Sequence, residues 1–322
     1  MNFKPIIIVP GEPNSIFFEI LFKTLNYKKF KSPIIFIGSK NLLIKNMKFF
    51  KFNYKIEPIE KKNISKLKYI HLSKNVIHLI NINYSDLNNK TITIKSRKYI
   101  TECFDMALQL LKDGVSKKFI NGAISKKHFL SKKFNGITEY LANKTNTKKY
   151  CMLIFNKKLS VCPITTHLPI KLVNKKLNKK LIIEKIELIN KFYLNKFKVK
   201  PRIAITGLNP HCESRHFFDE DNKILKPAIK HLQDSKIIVS GPHPADTIFL
   251  KNNRKNFNVI VGMYHDQVLT PLKTLFEYDA INITLGLPFL RVSPDHGPNE
   301  KMIGKSLSNP LSLIRAIEFL DN

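Results

Sequence analysis

The 322-residue sequence predicts an α/β fold, with helices covering both faces of largely parallel sheets. Two observations predict it. Short apolar, β-branched runs alternate almost throughout with stretches whose apolar residues recur every three or four positions. Polar clusters fall just beyond the expected strands, where open parallel sheets gather their ligands.

Ile6 to Val9 is a first strand, fully apolar and stopped by Pro10-Gly11. A helix over 15–25 follows, with Ile16, Ile20, Leu21 and Thr24 on one face, then a strand over 34–37. The stretch 51–95 is rich in Lys and Asn and offers only two short β-branched pieces, 76–80 and 91–94. Ile100, Phe104, Ala107, Leu108 and Leu111 space a helix over 99–111. Phe119-Ile120 runs into Asn121-Gly122, and 137–143 is helical. Two adjacent strands, 151–155 and 159–164, flank the turn Asn156-Lys157-Lys158. The longest helix covers 174–197, with Ile182, Ile186, Ile189 and Tyr193 in one stripe. A strand over 203–206 ends in Gly207-Leu208-Asn209-Pro210-His211. Helices at 224–233, 245–252, 266–276 and 310–320 then alternate with strands at 237–239, 258–262 and 280–284. No internal repeat interrupts the series.

Composition bounds the function. Apolar residues are 43% and charged residues 25%, which fits a globular protein and excludes global disorder. The chain can fill one large or two medium domains. No apolar run approaches the ~20 residues of a bilayer helix. The first apolar block is shorter than a secretory h-region, so a cytoplasmic, membrane-free protein is expected. Lys plus Arg is 55 against 24 acids, a net charge of +31, which would suit nucleic acid. Only Arg97, Arg202, Arg215, Arg254, Arg291 and Arg315 are arginines, however, and phosphate forks and base readout favour Arg. Scattered Lys beside abundant Asn and Ile reads as a solvated surface, which makes a basic nucleic-acid-binding protein the remote alternative. Cys103, Cys151, Cys162 and Cys212 form no Cys-x-x-Cys pair and are expected reduced and partly buried. Cys162 before His167 and Cys212 after His211 leave a sulfur-containing metal site open.

Three histidines share a context. His167, His211 and His265 each follow an apolar strand, so a parallel sheet could bring them to one edge. Three imidazoles with open positions would hold a divalent cation that still meets a substrate oxygen. Asp246 and Asp266 could add a ligand or orient the rings. Taken singly, each cluster is also what a structural loop histidine looks like. No Gly-x-Gly-x-x-Gly follows a strand, so an ordinary dinucleotide phosphate turn is absent.

These motifs carry a resemblance. Pro10-Gly11-Glu12-Pro13, Thr166-His167-Leu168-Pro169, Gly207-Leu208-Asn209-Pro210-His211, Pro244-Ala245-Asp246-Thr247, Met263-Tyr264-His265-Asp266-Gln267, the run from Asn282 to Arg291 and Asp295-His296-Gly297 are similar to the 4-hydroxythreonine-4-phosphate dehydrogenase family of pyridoxal phosphate biosynthesis. The resemblance implies a two-lobed fold like isocitrate and isopropylmalate dehydrogenases. The expected terminal lobe is 1–130 plus 265–322, and the middle lobe, 131–264, carries metal ligands and dimer contacts. It implies metal-dependent oxidation of 4-phosphohydroxy-L-threonine by NAD or NADP, giving a β-keto acid that decarboxylates to 3-amino-2-oxopropyl phosphate. His167, His211 and His265 match the metal ligands, for one Zn, Mg or Co ion. Thr138, Lys273, Asn282 and Arg291 match substrate contacts. Lys273 and Asp266 are the catalytic candidates, Lys273 as proton acceptor or phosphate contact. Leu287, Asp295 and Gly297 are the cofactor candidates. The active site is expected at a homodimer interface.

Three departures bear on specificity. Ile137 stands where the family has a His before Thr138, which removes a charge-assisted hydrogen bond worth about 1.5–3 kcal/mol. Asn14-Ser15-Ile16-Phe17-Phe18 replaces a small-residue turn, and Pro298-Asn299 replaces Thr-Ala near the expected cofactor. A sister dehydrogenase acting on another phosphorylated hydroxy acid is the alternative that Ile137 motivates.

Overall fold

The computed structural model describes residues 3–86, 92–130, 134–214, 217 and 219–321. The strands are β1 (Ile6–Val9), β2 (Ile34–Gly38), β3 (Ile56–Pro58), β4 (Ile77–Asn81), β5 (Lys118–Asn121), β6 (Cys151–Phe155), β7 (Ser160–Pro163), β8 (Ile203–Thr206), β9 (Val239–His243), β10 (Val259–Gly262), β11 (Ile281–Leu285) and β12 (Leu290–Pro294). The α-helices are α1 (Phe17–Tyr27), α2 (Lys40–Phe49), α3 (Ser96–Lys112), α4 (Ile137–Lys144), α5 (Val173–Lys176), α6 (Lys179–Phe197), α7 (Lys226–Asp234), α8 (Lys251–Arg254), α9 (His265–Phe276) and α10 (Leu311–Asp321). No described helix is long and apolar enough to cross a membrane.

The chain divides into two compact units, Met1–Tyr140 with Pro288–Asn322, and Leu141–Leu287. Return to the terminal unit thus falls at 287/288, where the sequence reading set 264/265. The reason lies in packing: α9 lies against β7 and β10, and β11 pairs with β6, so both stay with the middle unit.

In the terminal unit the strand order is β3-β4-β2-β1-β5-β12, parallel throughout. β1 and β2 are buried along their whole lengths, which is why their sequences are apolar without alternation. α3 covers β1 and β2, and α10 covers β5 and β12. At the ends of β1 and β5 two backbones meet closely. A Cβ on Gly122 would run into the Pro10 carbonyl, and one on Gly11 (φ +76°) into the Ala123 carbonyl.

In the middle unit the order is β11-β6-β7-β10-β8-β9, with β6 antiparallel to β11 and β7 and the remaining pairs parallel. Met152, Ile154, Val161, Ala204 and Ile260 build a core with Val268, Leu269 and Leu272 of α9.

Several elements differ from expectation. The long helix starts at Lys179, because the Asn178 side chain accepts from Leu181 N (2.9 Å) and caps a fresh helix after extended Leu177. The strand expected at 237–239 runs Val239–His243, and the helix expected at 245–252 is only the short α8. α2, β3 and β12 had no counterpart in the sequence reading. Of the piece 91–94, Thr91 lies outside the described residues and 92–94 form no strand. All four cysteines are free, three of them buried.

Candidate functional site

Three parallel neighbours, β7, β10 and β8, set the geometry of the middle unit, with Ser160, Val259 and Ile203 in register. Pairing continues beyond β7 and β10. Ile164 N donates to Gly262 O (2.7 Å), and both Thr165 N (3.1 Å) and Thr165 Oγ1 (2.7 Å) donate to Met263 O. His167 and His265 therefore leave the sheet side by side, their ring centroids 5.7 Å apart and tilted by 37°. His265 opens α9, and its Nδ1 lies 2.7 Å from Asp266 Oδ1. A carboxylate only accepts, so Nδ1 carries the proton and Nε2 keeps its lone pair for a ligand.

His211 leaves the end of β8, the next strand in the sheet, and is exposed. The segment 207–209 before it is held by buried Asp221 and by Gln267. His167 (φ +50°), His211 (φ +57°) and Cys212 (φ +63°) all adopt left-handed backbone. Each costs about 1–2 kcal/mol, strain of a kind that gathers at functional sites. Imidazole nitrogens suit Zn or Co better than Mg, so the donor chemistry fits a divalent ion. Two of the three rings meet. Among the described residues no group of three His, Cys, Asp or Glu is spaced to hold an ion as it stands. Cys162 is fully buried, its thiol donating to Pro163 O (3.7 Å).

Lys273 follows His265 by eight residues on one face of α9, about 12 Å along the axis, and is half-buried. Asn282 lies on β11 opposite Ile154, and its Oδ1 is buried without a hydrogen-bond partner. Such an orphan costs about 1–3 kcal/mol, which a ligand donor would recover. Leu287 closes the unit, half-buried. Asp246 is exposed and near enough to Cys212 to help raise its pKa, although burial raises it most.

In the terminal unit, Arg291 of β12 is 1% exposed and its Nε donates to Asn121 Oδ1 at the end of β5 (2.8 Å). Burial pushes its pKa down to about 9, against the opposing pull of Glu139. The guanidinium stays charged at neutral pH. Thr138 is buried in the first turn of α4, directly after half-buried Ile137.

The turn after β1 leads into α1 (Phe17–Tyr27). Ile16 N donates to Pro298 O (3.2 Å) and Phe17 N to Ser15 Oγ (3.3 Å), so these amides at the start of α1 are engaged. Glu12 is fully buried there, accepting from Ser96 Oγ (2.9 Å) and Ser125 N (3.1 Å), and burial pushes its pKa up. Of the cofactor candidates, Asp295 N donates to Ser312 Oγ (2.8 Å), and Gly297 is exposed, where a Cβ would meet Asn299 Oδ1 at 3.8 Å. Asp221 and Asn121 are residues that sequence reasoning missed, since their partners are backbone atoms and a side chain far along the chain. Gln267 stood inside a quoted motif without a role.

Over residues 29–320 the chain matches the family profile described as pyridoxal phosphate biosynthetic protein PdxA. It is 37% identical to a 4-hydroxythreonine-4-phosphate dehydrogenase of Sulfurihydrogenibium sp., across 97% of this chain and 96% of that protein. It is 31% identical to a D-threonate 4-phosphate dehydrogenase of Salmonella typhimurium, across 92% of each. A solved 4-hydroxythreonine-4-phosphate dehydrogenase from Klebsiella pneumoniae superposes with a TM-score of 0.83 at 29% identity, covering 98% of this chain and 97% of that one.

Proposed function

Since this chain belongs to the pyridoxal phosphate biosynthetic protein PdxA family and is a dehydrogenase of that family, we propose that it oxidises 4-phosphohydroxy-L-threonine. The substrate's hydroxyl carbon gives its hydride to NAD or NADP and the hydroxyl gives up its proton. The resulting β-keto acid loses carbon dioxide, and a proton replaces it to give 3-amino-2-oxopropyl phosphate. His167, His211 and His265 would hold one divalent cation, Zn, Mg or Co, and the chemistry it supplies when bound is Lewis acidity at the substrate's oxygens.

The protein's own groups do the rest. Asp266 keeps the His265 ring in the tautomer that presents Nε2. Arg291, fixed by Asn121, offers directional donors to a phosphate or carboxylate. Asn282 Oδ1 accepts from a substrate N–H or O–H, and Thr138 gives a hydroxyl contact. Lys273 takes up the hydroxyl proton or contacts the phosphate. Leu287, Asp295 and Gly297 would contact the cofactor. The proposed working form is a cytoplasmic homodimer with its active site at the interface.

The observation that carries this reading is the meeting of His167 and His265 at the ends of adjacent strands. Its test is cofactor reduction with 4-phosphohydroxy-L-threonine, with and without divalent ions. A second reading, D-threonate 4-phosphate as substrate, is favoured by Ile137 and by the likeness to the Salmonella enzyme. The two are separated by comparing kcat/KM for both compounds on the same preparation.

A further inference from the structure

We infer that Asp221 and Gln267 are positioning residues for His211, acting together as a clamp on the 207–209 strap; the inference rests on the metal reading above. Asp221 is fully buried and spends both carboxylate oxygens on that strap. Its Oδ1 accepts from Leu208 N (2.8 Å), and its Oδ2 accepts from Asn209 N (3.0 Å) and Asn209 Nδ2 (2.9 Å). Gln267 grips from the other side. Its Nε2 donates to Gly207 O (2.7 Å), while its Oε1 accepts from Thr206 Oγ1 (2.9 Å) and Met263 N (2.6 Å).

Gln267 thereby ties three things together: the end of β10, the end of β8 and the helix that begins with His265. The strap also folds back upon itself, since a Cβ on Gly207 would lie 2.7 Å from Cys212 Sγ and 3.0 Å from Asp221 Oδ1. Downstream, His211 and Cys212 are consecutive left-handed residues, a conformation that persists only where the surroundings over-determine it. Without the clamp the chain would relax and His211 would lose its fixed place beyond the end of β8. Groups that orient a ligand in this way are typically worth about ten- to a hundredfold in metal affinity.

The test uses the full chain, stripped of metal, as wild type, Asp221→Asn, Gln267→Glu and His211→Ala. Asp221→Asn sets an amide NH2 against a backbone N–H. Gln267→Glu keeps both acceptor bonds and sets a charged carboxylate oxygen against the Gly207 carbonyl in place of the donor. Hydrogen exchange of segment 207–212 is read first, then a Co2+ titration, with thermal melting as the check on folding. The expected result is faster exchange in that segment and Co2+ affinity weakened about ten- to a hundredfold for both clamp variants. If Asp221→Asn does not fold, Gln267→Glu decides alone. Clamp variants that bind Co2+ as wild type does, or that leave segment 207–212 as protected, overturn the inference while the metal reading stands. A wild type that takes up no Co2+ overturns the metal reading, and the inference falls with it.

Discussion

Replacing Arg291 by Met asks what a fully buried cation is for. The fall of its pKa to about 9 is the balance of burial, which lowers it, and Glu139, which raises it, about 5 kcal/mol at 1.36 kcal/mol per pH decade. Met fills a similar length of space without charge. Against that relief stands the orphaned Asn121 Oδ1, costing about 1–3 kcal/mol. The net expectation is a variant about 2 kcal/mol more stable than wild type without ligand, in the range seen when buried charges are exchanged for apolar side chains. At this chain length that is a rise of about 3 °C in Tm. Function should move the other way. Loss of a two-pronged, charge-assisted contact to phosphate or carboxylate removes about 3–6 kcal/mol from the transition state, about 10²- to 10⁴-fold in kcat/KM. Urea unfolding and steady-state kinetics on one preparation read both quantities. A variant less stable than wild type with near-normal kcat/KM would refute the reasoning, because Arg291 would then be a structural ion.

Three further expectations are independent of that one. His211→Ala should lower metal-dependent turnover by more than about a hundredfold, and full activity of the wild type after chelation would remove the cation from the mechanism. Ile137→His should lower KM for 4-phosphohydroxy-L-threonine about ten- to a hundredfold; an unchanged KM would place that side chain outside the pocket. Glu12 has its pKa raised chiefly by burial, so the folded state holds the proton more tightly and this group's contribution to stability falls as pH rises through the raised value. Glu12→Gln should therefore exceed wild type in urea midpoint at about pH 8 and match it at about pH 4. The same gap at both values would contradict the burial argument.

Legibility in the sequence followed burial. β1, β8 and β10 are largely apolar runs because they are buried along their whole lengths, and each stood out. α2 did not, since only Leu42 and Leu43 are buried and five of its other eight residues are Lys or Asn. β3 is three half-exposed or exposed residues, and β12 hides an Arg where a strand core is expected to be apolar. The pairing of His167 with His265 could be anticipated, because strand ends in a parallel sheet converge whatever their spacing along the chain. The clamp of Asp221 and Gln267 could not be. Its partners are mainly main-chain N–H and C=O groups, which every residue type carries alike, and only the fold says which of them come near.

The most direct measurement is nicotinamide absorbance with 4-phosphohydroxy-L-threonine on metal-stripped protein, followed by stepwise addition of Co2+ or Zn2+. The account expects no reduction at the start and turnover that saturates with one ion per chain, absent in His167→Ala and His265→Ala. Full reduction before any ion is added, or equal turnover in those two variants, would contradict it.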